Sequence, residues 1–167
     1  MHYWIDGYNL LFYLPQLGLS KVSFEEKRRA LILEIHQQAK DLSIQMTLVF
    51  DASDEGEQYD SRSHLGSLEI IYTHPGKSAD EAILEAVGLS KTPSNLSVIT
   101  SDKELASKAS YLGANVLSLP RFLEFLFKKR RQKNRLERDS SKDFQDSPQE
   151  IQRLLQLFSK KINREDC

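Results

Sequence analysis

Apolar residues in this chain come in short runs, each closed by a polar turn and followed by residues at helical spacing. The first run lies in His2 to Leu11, HYWIDGYNLL, where it stops on Asp6 and turns at once through Gly7, Tyr8 and Asn9. Ile44 to Phe50 repeats the grammar and closes on Asp51. Leu68 to Tyr72, Leu96 to Thr100 and Asn115 to Leu119 follow. Near-continuous apolar runs of this length are the pattern of strands buried on both faces.

The intervening stretches read as helices. Asn9 to Leu14 makes a short helical segment ended by Pro15. Ser23 to Glu26 is a capping box, with Leu31, Ile35, Ala39 and Leu42 at helical spacing behind it. Ser78 to Glu81 is a second box, opening a helix whose apolar face is Ala82, Ile83, Ala86 and Val87. Ser101 to Glu104 reads as a third, followed by Leu105, Ala106, Ala109 and Leu112, with Gly113 as the left-handed stop. Pro120 starts a helix with Phe122, Leu123, Leu126 and Phe127 inward. Residues 139–146 are a polar linker, and Ser147 opens a last amphipathic helix carrying Ile151, Leu154, Leu155 and Phe158.

Strands alternating with helices imply parallel pairing through right-handed crossovers, hence a doubly wound three-layer α/β/α sandwich with a parallel five-stranded sheet. The domain is expected over residues 1–138, with the linker and C-terminal helix of 139–167 packed on it. The polar stretch from Ala52 to Ser67 reads as one long loop.

Composition narrows the class. A chain of 167 residues with 40% hydrophobic content suits a single domain with a real core. The one cysteine, Cys167, has no partner in the chain. With no signal-like start and no apolar run long enough for a membrane span, the expectation is a soluble, cytoplasmic protein without a membrane partner. Net charge of −1 says nothing for nucleic acid, but its distribution is uneven. Basic residues crowd Lys128 to Arg138, and acidic ones crowd Asp51 to Asp60.

Parallel α/β sheets bind ligands at the carboxyl ends of their strands. Asp6 closes the first strand, Asp102 follows the fourth, and Asp80 sits in the first turn of the helix after the third. Carboxylates gathered there repel one another unless a cation neutralises them. Mg²⁺ or Mn²⁺ suits such a set, since it keeps several waters and needs few protein carboxylates. Phosphodiester hydrolysis is the chemistry that follows.

Asp6 is the expected central ligand, with Asp80 and Asp102 completing the set. Asn9 is placed to orient Asp6 or to hydrogen-bond a water or phosphate. Ser101 and its turn offer N–H groups to a phosphate oxygen, and Lys77 offers a positive charge beside the substrate. Each has a plainer explanation. Asp in a helix's first turn favours the macrodipole, Glu81 is a capping partner, Asp51 caps a loop, and Tyr59 and Tyr72 are packing residues before they are base-stacking ones. His36, His64 and His74 lack ligand spacing and belong to surface or loops.

The set WIDGYNLL, VFDAS, IIYTHPGKSADEAI and VITSDKEL, in this order and at these intervals, resembles the YacP-like branch of the NYN nucleases, relatives of the PIN-domain nucleases. The likeness runs through almost the whole chain. It implies a PIN-like sheet of order 3-2-1-4-5 and metal-dependent endoribonuclease activity on Asp6, Asn9, Asp80 and Asp102, with Glu81 as an extra acid. It also implies a bacterial, cytoplasmic setting and, for part of the family, mRNA cleavage on the ribosome.

In that context Lys128, Lys129, Arg130, Arg131, Lys133 and Arg135 become candidate contacts to RNA phosphates, without sequence specificity. The acidic tract from Asp54 to Asp60 looks like a variable loop that would repel RNA or face protein. The competing reading is a non-catalytic RNA- or ribosome-binding protein on the same fold. An aspartyl-phosphate phosphatase ranks last, because the position two residues after Asp6 is Tyr8. A toxin-type nuclease of the same class also fits. The oligomeric state is not legible.

Overall fold

The apolar runs lie side by side as the core strands of one sheet. A computed structural model describes residues 1–14, 22–52 and 60–138, with side chains through 136. In chain order the elements are β1 (His2–Asp6), α1 (Gly7–Tyr13), α2 (Phe24–Leu42), β2 (Gln45–Phe50), β3 (Ser61–Leu65), β4 (Leu68–Tyr72), α3 (Ala79–Leu89), β5 (Leu96–Ile99), α4 (Lys103–Tyr111), β6 (Asn115–Leu117) and α5 (Leu119–Arg138). The linker and final helix expected over 139–167 lie outside the described residues, as do most of the acidic tract and Tyr59.

The sheet order is β3-β4-β2-β1-β5-β6. Its five apolar strands are parallel and stand in the expected order. The sixth corrects the expectation: β3 pairs antiparallel with β4, from Ser61 opposite Tyr72 to Leu65 opposite Leu68, inside the stretch expected to be a loop. Four of its five residues are exposed, so no buried face marks it in the sequence. Arg62 and His64 on this edge strand approach Glu69 at 3.5 and 3.7 Å.

β2 is buried along Met46 to Phe50, as a central parallel strand must be. One face of the sheet carries α1, α2 and α5 over a core that includes Ile5, Leu10, Leu31, Ile35, Met46, Leu48, Phe50, Phe122 and Leu126. The other carries α3 and α4 over Trp4, Val49, Ile71, Ile83, Val87, Val98 and Leu105. Fully burying a side chain such as Ile5 stabilises the fold by about 2 kcal/mol, and both layers are built from such residues. Leu112, expected to face inward, is exposed. Gly113 does adopt the left-handed conformation, at φ 93°.

The capping boxes at Ser23/Glu26 and Ser78/Glu81 form reciprocally as read. The third does not form. Asp102 takes the N-cap itself, its Oδ1 accepting from the N–H groups of Glu104 (2.7 Å) and Leu105 (2.9 Å). Ser101 stays outside the helix because Thr100 Oγ1 accepts the Asp102 N–H (2.9 Å), which turns the chain one residue later.

Candidate functional site

Parallel register brings the ends of β1, β2 and β5 to a common edge: Asp6 lies level with Val49, and Ile5 with Ile99. Asp6 closes β1 and caps α1, with Oδ1 accepting the Asn9 N–H at 3.0 Å. The turn between them requires glycine, since a Cβ at Gly7 would overlap the Phe50 ring. That close approach lets α1 start directly on the strand end, fixing the Asp6 carboxylate at the sheet edge. The Asn9 side chain donates to Thr100 Oγ1 (3.5 Å), and Thr100 holds the Asp102 N–H. Asn9 therefore links the Asp6 turn to the Asp102 turn.

Asp51 does more than close a strand. Its Oδ1 accepts the N–H of Ala79, the first residue of α3, and so ties the helix that carries Asp80 to the end of β2. Thr73 tightens the same corner, donating its N–H to the Phe50 carbonyl (2.9 Å) and accepting from the Ala52 N–H (3.1 Å). Thr73 and Thr100 are both buried and escaped the sequence reading. A threonine just past a strand that ends in apolar residues is the signal that could have found them.

The electrostatics show that these carboxylates form one cluster. Burial, then the charges of Asp6, Asp102, Asp51 and Glu104, push the Asp80 carboxyl up to about 6. Asp6 is raised chiefly by burial, with Asp51 and Asp102 adding like charge against the lowering N–H groups of Asn9 and Tyr8. Asp6, Asp51, Asp80 and Asp102 thus share one field. Among the described residues, however, no three of His, Cys, Asp and Glu stand close enough together to hold a metal ion directly. A cation shared by these carboxylates would have to be reached in part through its bound waters, which Mg²⁺ retains readily.

Other candidates fall elsewhere. Lys77 is engaged with Asp60 (3.0 Å) and Glu85 (2.5 Å), and it is not among the charges that act on Asp6 or Asp80. Asp60 also accepts the His74 N–H, and this ion pair clamps the chain before α3. Glu81 turns back onto Ser78 and is exposed, a capping residue that is not among the charges acting on Asp6 or Asp80. Of the N–H groups expected to receive a phosphate at the Ser101 turn, that of Glu104 is taken by Asp102 and that of Asp102 by Thr100, and Ser101 is exposed beside them. Exposed Lys108 pairs with Glu104 (2.6 Å) and feels Asp80 and Asp102. Tyr72 packs against Phe50 (5.5 Å), in keeping with the plainer reading.

The basic run lies at the other end of the sheet. α5 starts by Ser118 at the carboxyl edge, passes Tyr3 at Phe122 and Phe125, and reaches the C-terminus of α2, where Lys133 Nζ donates to the Asp41 carbonyl (2.6 Å). Twenty helical residues extend about 30 Å, nearly twice a five-residue strand. Lys129 lies over the Phe125 ring at 5.6 Å and Lys128 approaches Glu124 at 4.0 Å. Arg131 and Arg135 are exposed, and Arg130 is half-buried.

Comparison with known proteins agrees with this architecture. The family model described as "YacP-like NYN domain" matches residues 3–164. The crystal structure of Rae1 (YacP) from Bacillus subtilis is similar at TM-score 0.63 and 25% identity, covering 99% of this chain and 91% of that one. A tryptophan-to-leucine mutant of the same protein gives TM-score 0.64 and 26% identity over 87% and 86%. No curated protein matches.

Proposed function

The chain belongs to the YacP-like NYN domain family, and on that premise we propose that it is a metal-dependent endoribonuclease that hydrolyses RNA phosphodiester bonds. The observation that carries the reading is the mutual field of Asp6, Asp51, Asp80 and Asp102 at the carboxyl edge, where Asp80 is driven to about 6 by burial and its acidic neighbours. Such crowding costs stability unless a cation relieves it.

Asp6, Asp80 and Asp102 would hold Mg²⁺ or Mn²⁺, directly or through water. A divalent cation there supplies a bound water of lowered pKa and stabilises charge building on the scissile phosphate. Asp6 is fixed for this by the Asn9 N–H, and Asp102 by its two N–H donors at the start of α4. Asn9 and Thr100 hold the two turns in mutual register. Asp51 acts as a positioning residue, through α3, on Asp80.

RNA phosphates on the far side would meet Arg131 and Arg135, with Lys128, Lys129, Arg130 and Lys133 around them. That edge suits a long RNA or a ribosome-borne mRNA, and the family setting implies a cytoplasmic location. No helix among the described residues is long and apolar enough to cross a membrane. The second reading, a non-catalytic RNA- or ribosome-binding protein, is favoured by one observation: the described residues hold no group of three or more His, Cys, Asp and Glu close enough to bind a metal ion directly.

Circular RNA, which only an endonuclease opens, separates the two. Purified protein with Mg²⁺ or Mn²⁺, with and without ribosomes, is expected to linearise it, and chelation or Asp6→Asn to prevent this. Absence of metal-stimulated opening in both settings leaves the binding reading.

A further inference from the structure

Beside the acidic edge runs a row of aromatic rings whose outer end is open to solvent. Phe12 and Phe24 stack on each other with centroids 5.8 Å apart, yet they remain 65% and 45% exposed. Phe24 meets Tyr8 at 5.3 Å, Tyr8 meets Phe50 edge-on at 5.1 Å, and Phe50 stacks on Tyr72. The inner end is fastened by Arg28, which lies over the Tyr72 ring at 5.1 Å and donates to the Tyr8 hydroxyl at 3.2 Å. The outer rings therefore rest on Tyr8, itself half-buried against buried Phe50 and held by Arg28, and need little ordering to receive a flat ligand.

Geometry ties this row to the carboxylates. Tyr8 and Phe12 are on α1, whose cap is Asp6, and Phe24 opens α2. Six helical residues separate Asp6 from Phe12 by about 9 Å along the axis. The exposed parts of Phe12, Phe24 and the neighbouring Tyr13 amount to roughly 300 Å², well under the roughly 800 Å² per partner of a stable protein interface. An occupant the size of one or two nucleobases fits that area, and stacking on aromatic rings is how proteins hold single strands irrespective of sequence.

We infer that Phe12 and Phe24 form a stacking platform for a nucleobase of single-stranded RNA, setting where the strand enters the acidic edge. The inference deepens the nuclease reading and rests on it for the identity of the ligand. A base seated on these rings lets the neighbouring phosphates run along α1 toward Asp6. The platform also gives the acidic edge a means of retaining RNA without a cationic groove.

Binding is measured on the full chain carrying Asp6→Asn, so that no cleavage intervenes. The probe is a single-stranded adenine oligoribonucleotide of about ten residues containing 2-aminopurine, read by fluorescence in Mg²⁺. Phe12→Ala and Phe24→Ala are each expected to raise Kd about tenfold and to relieve the stacking quench. Phe24→Tyr keeps both, whereas Phe12→Leu and Phe24→Leu, which retain apolar bulk without a π face, weaken binding like alanine. Circular dichroism and sedimentation accompany every variant.

Unchanged Kd in folded alanine variants overturns the platform, as does full affinity in the leucine variants. A dimer that becomes a monomer in Phe12→Ala also overturns it, since the patch would then join copies of the chain. Failure of the nuclease reading looks different. Ring-dependent binding by a protein that cleaves nothing with Asp6 intact supports the platform alone, whereas cleavage with Kd and KM unmoved in the alanine variants removes it and leaves the nuclease.

Discussion

At the carboxyl edge of the sheet half-buried Asp6 and Asp80 sit beside exposed Asp51 and Asp102, whose charges help to raise the carboxyls of the first two. At the amino edge Lys128 to Arg135 stand on one helix, either solvated or resting on a neighbour such as Phe125 or the Asp41 carbonyl. Both are clusters of like charge, but the first is assembled from turns far apart in the chain, whereas the second stands on a single helix. Asp6 is capped from α1, Asp51 reaches α3, and Asn9 reaches Thr100 across the sheet. Charge that a fold holds against repulsion points to chemistry. Charge spread round an exposed helix points to a surface.

The largest expected effect separates the edges outright. Asp6→Asn should lower cleavage by about a thousandfold or more, since loss of that much transition-state stabilisation is about 4 kcal/mol, with little change in Tm. Asp102→Asn sharpens the same test. Asparagine is as good an N-cap as aspartate, so α4 stays capped while the charge is lost. Equal stability with a collapsed rate assigns Asp102 to chemistry, and an unchanged rate assigns it to capping alone.

Next comes the joint on which the acidic edge depends. Gly7→Ala drives a methyl into the Phe50 ring and should destabilise the fold by about 1 to 3 kcal/mol, measured by urea denaturation. The rate at saturating RNA should fall with it, because Asp6 rides on the displaced turn. A fully active, fully stable Gly7→Ala protein would break the claim that this turn is held by close packing.

The amino edge should respond in affinity and not in rate. Arg131→Gln with Arg135→Gln is expected to weaken RNA binding about tenfold and to reduce the salt slope by roughly 1.4, the single-strand value for two phosphate contacts. kcat should be unchanged. A fall in kcat with affinity intact would place these guanidinium groups in the chemistry and erase the contrast between the edges.

The smallest effect concerns the strain itself. Asp80 has a folded pKa of about 6, above its unfolded value, so the native state binds the extra proton. Without divalent cation, stability should fall as pH rises through about 4 to 6 and stay low above that window. The shift is discounted for solvent screening, since Asp80 is only partly buried, leaving about 1 kcal/mol. Asp80→Asn should therefore raise Tm at pH 7.5 in chelator, and hardly at pH 4. Equal Tm gains at both pH values would mean that the crowding costs nothing.

The parallel core and the acidic edge were legible because local signals agreed with the tertiary structure. Apolar runs ending in Asp6 and Asp51, and boxes at Ser23/Glu26 and Ser78/Glu81, each need only a few neighbouring residues to be recognised. β3 was hidden because SRSHL has one face in solvent and no apolar face to read. The ion pairs of Lys77 were not legible because its partners Asp60 and Glu85 lie 17 and 8 residues away. The third capping box did not form because Asp102 claimed the Glu104 N–H that the local pattern had left to Ser101. The placement of the basic run depends on how α5 packs: this helix follows β6, returns across the sheet against the direction of its parallel strands, and is far longer than they are.

The central claim is that separated aspartates at the carboxyl edge jointly hold a divalent cation. Crystals of the full chain soaked in Mn²⁺ test it most directly, through the anomalous difference density at the manganese edge. The account predicts a peak within ligand or single-water reach of Asp6, Asp80 and Asp102, lost in Asp6→Asn crystals. A fully occupied peak elsewhere on the molecule, with none between these carboxylates at saturating Mn²⁺, would contradict it.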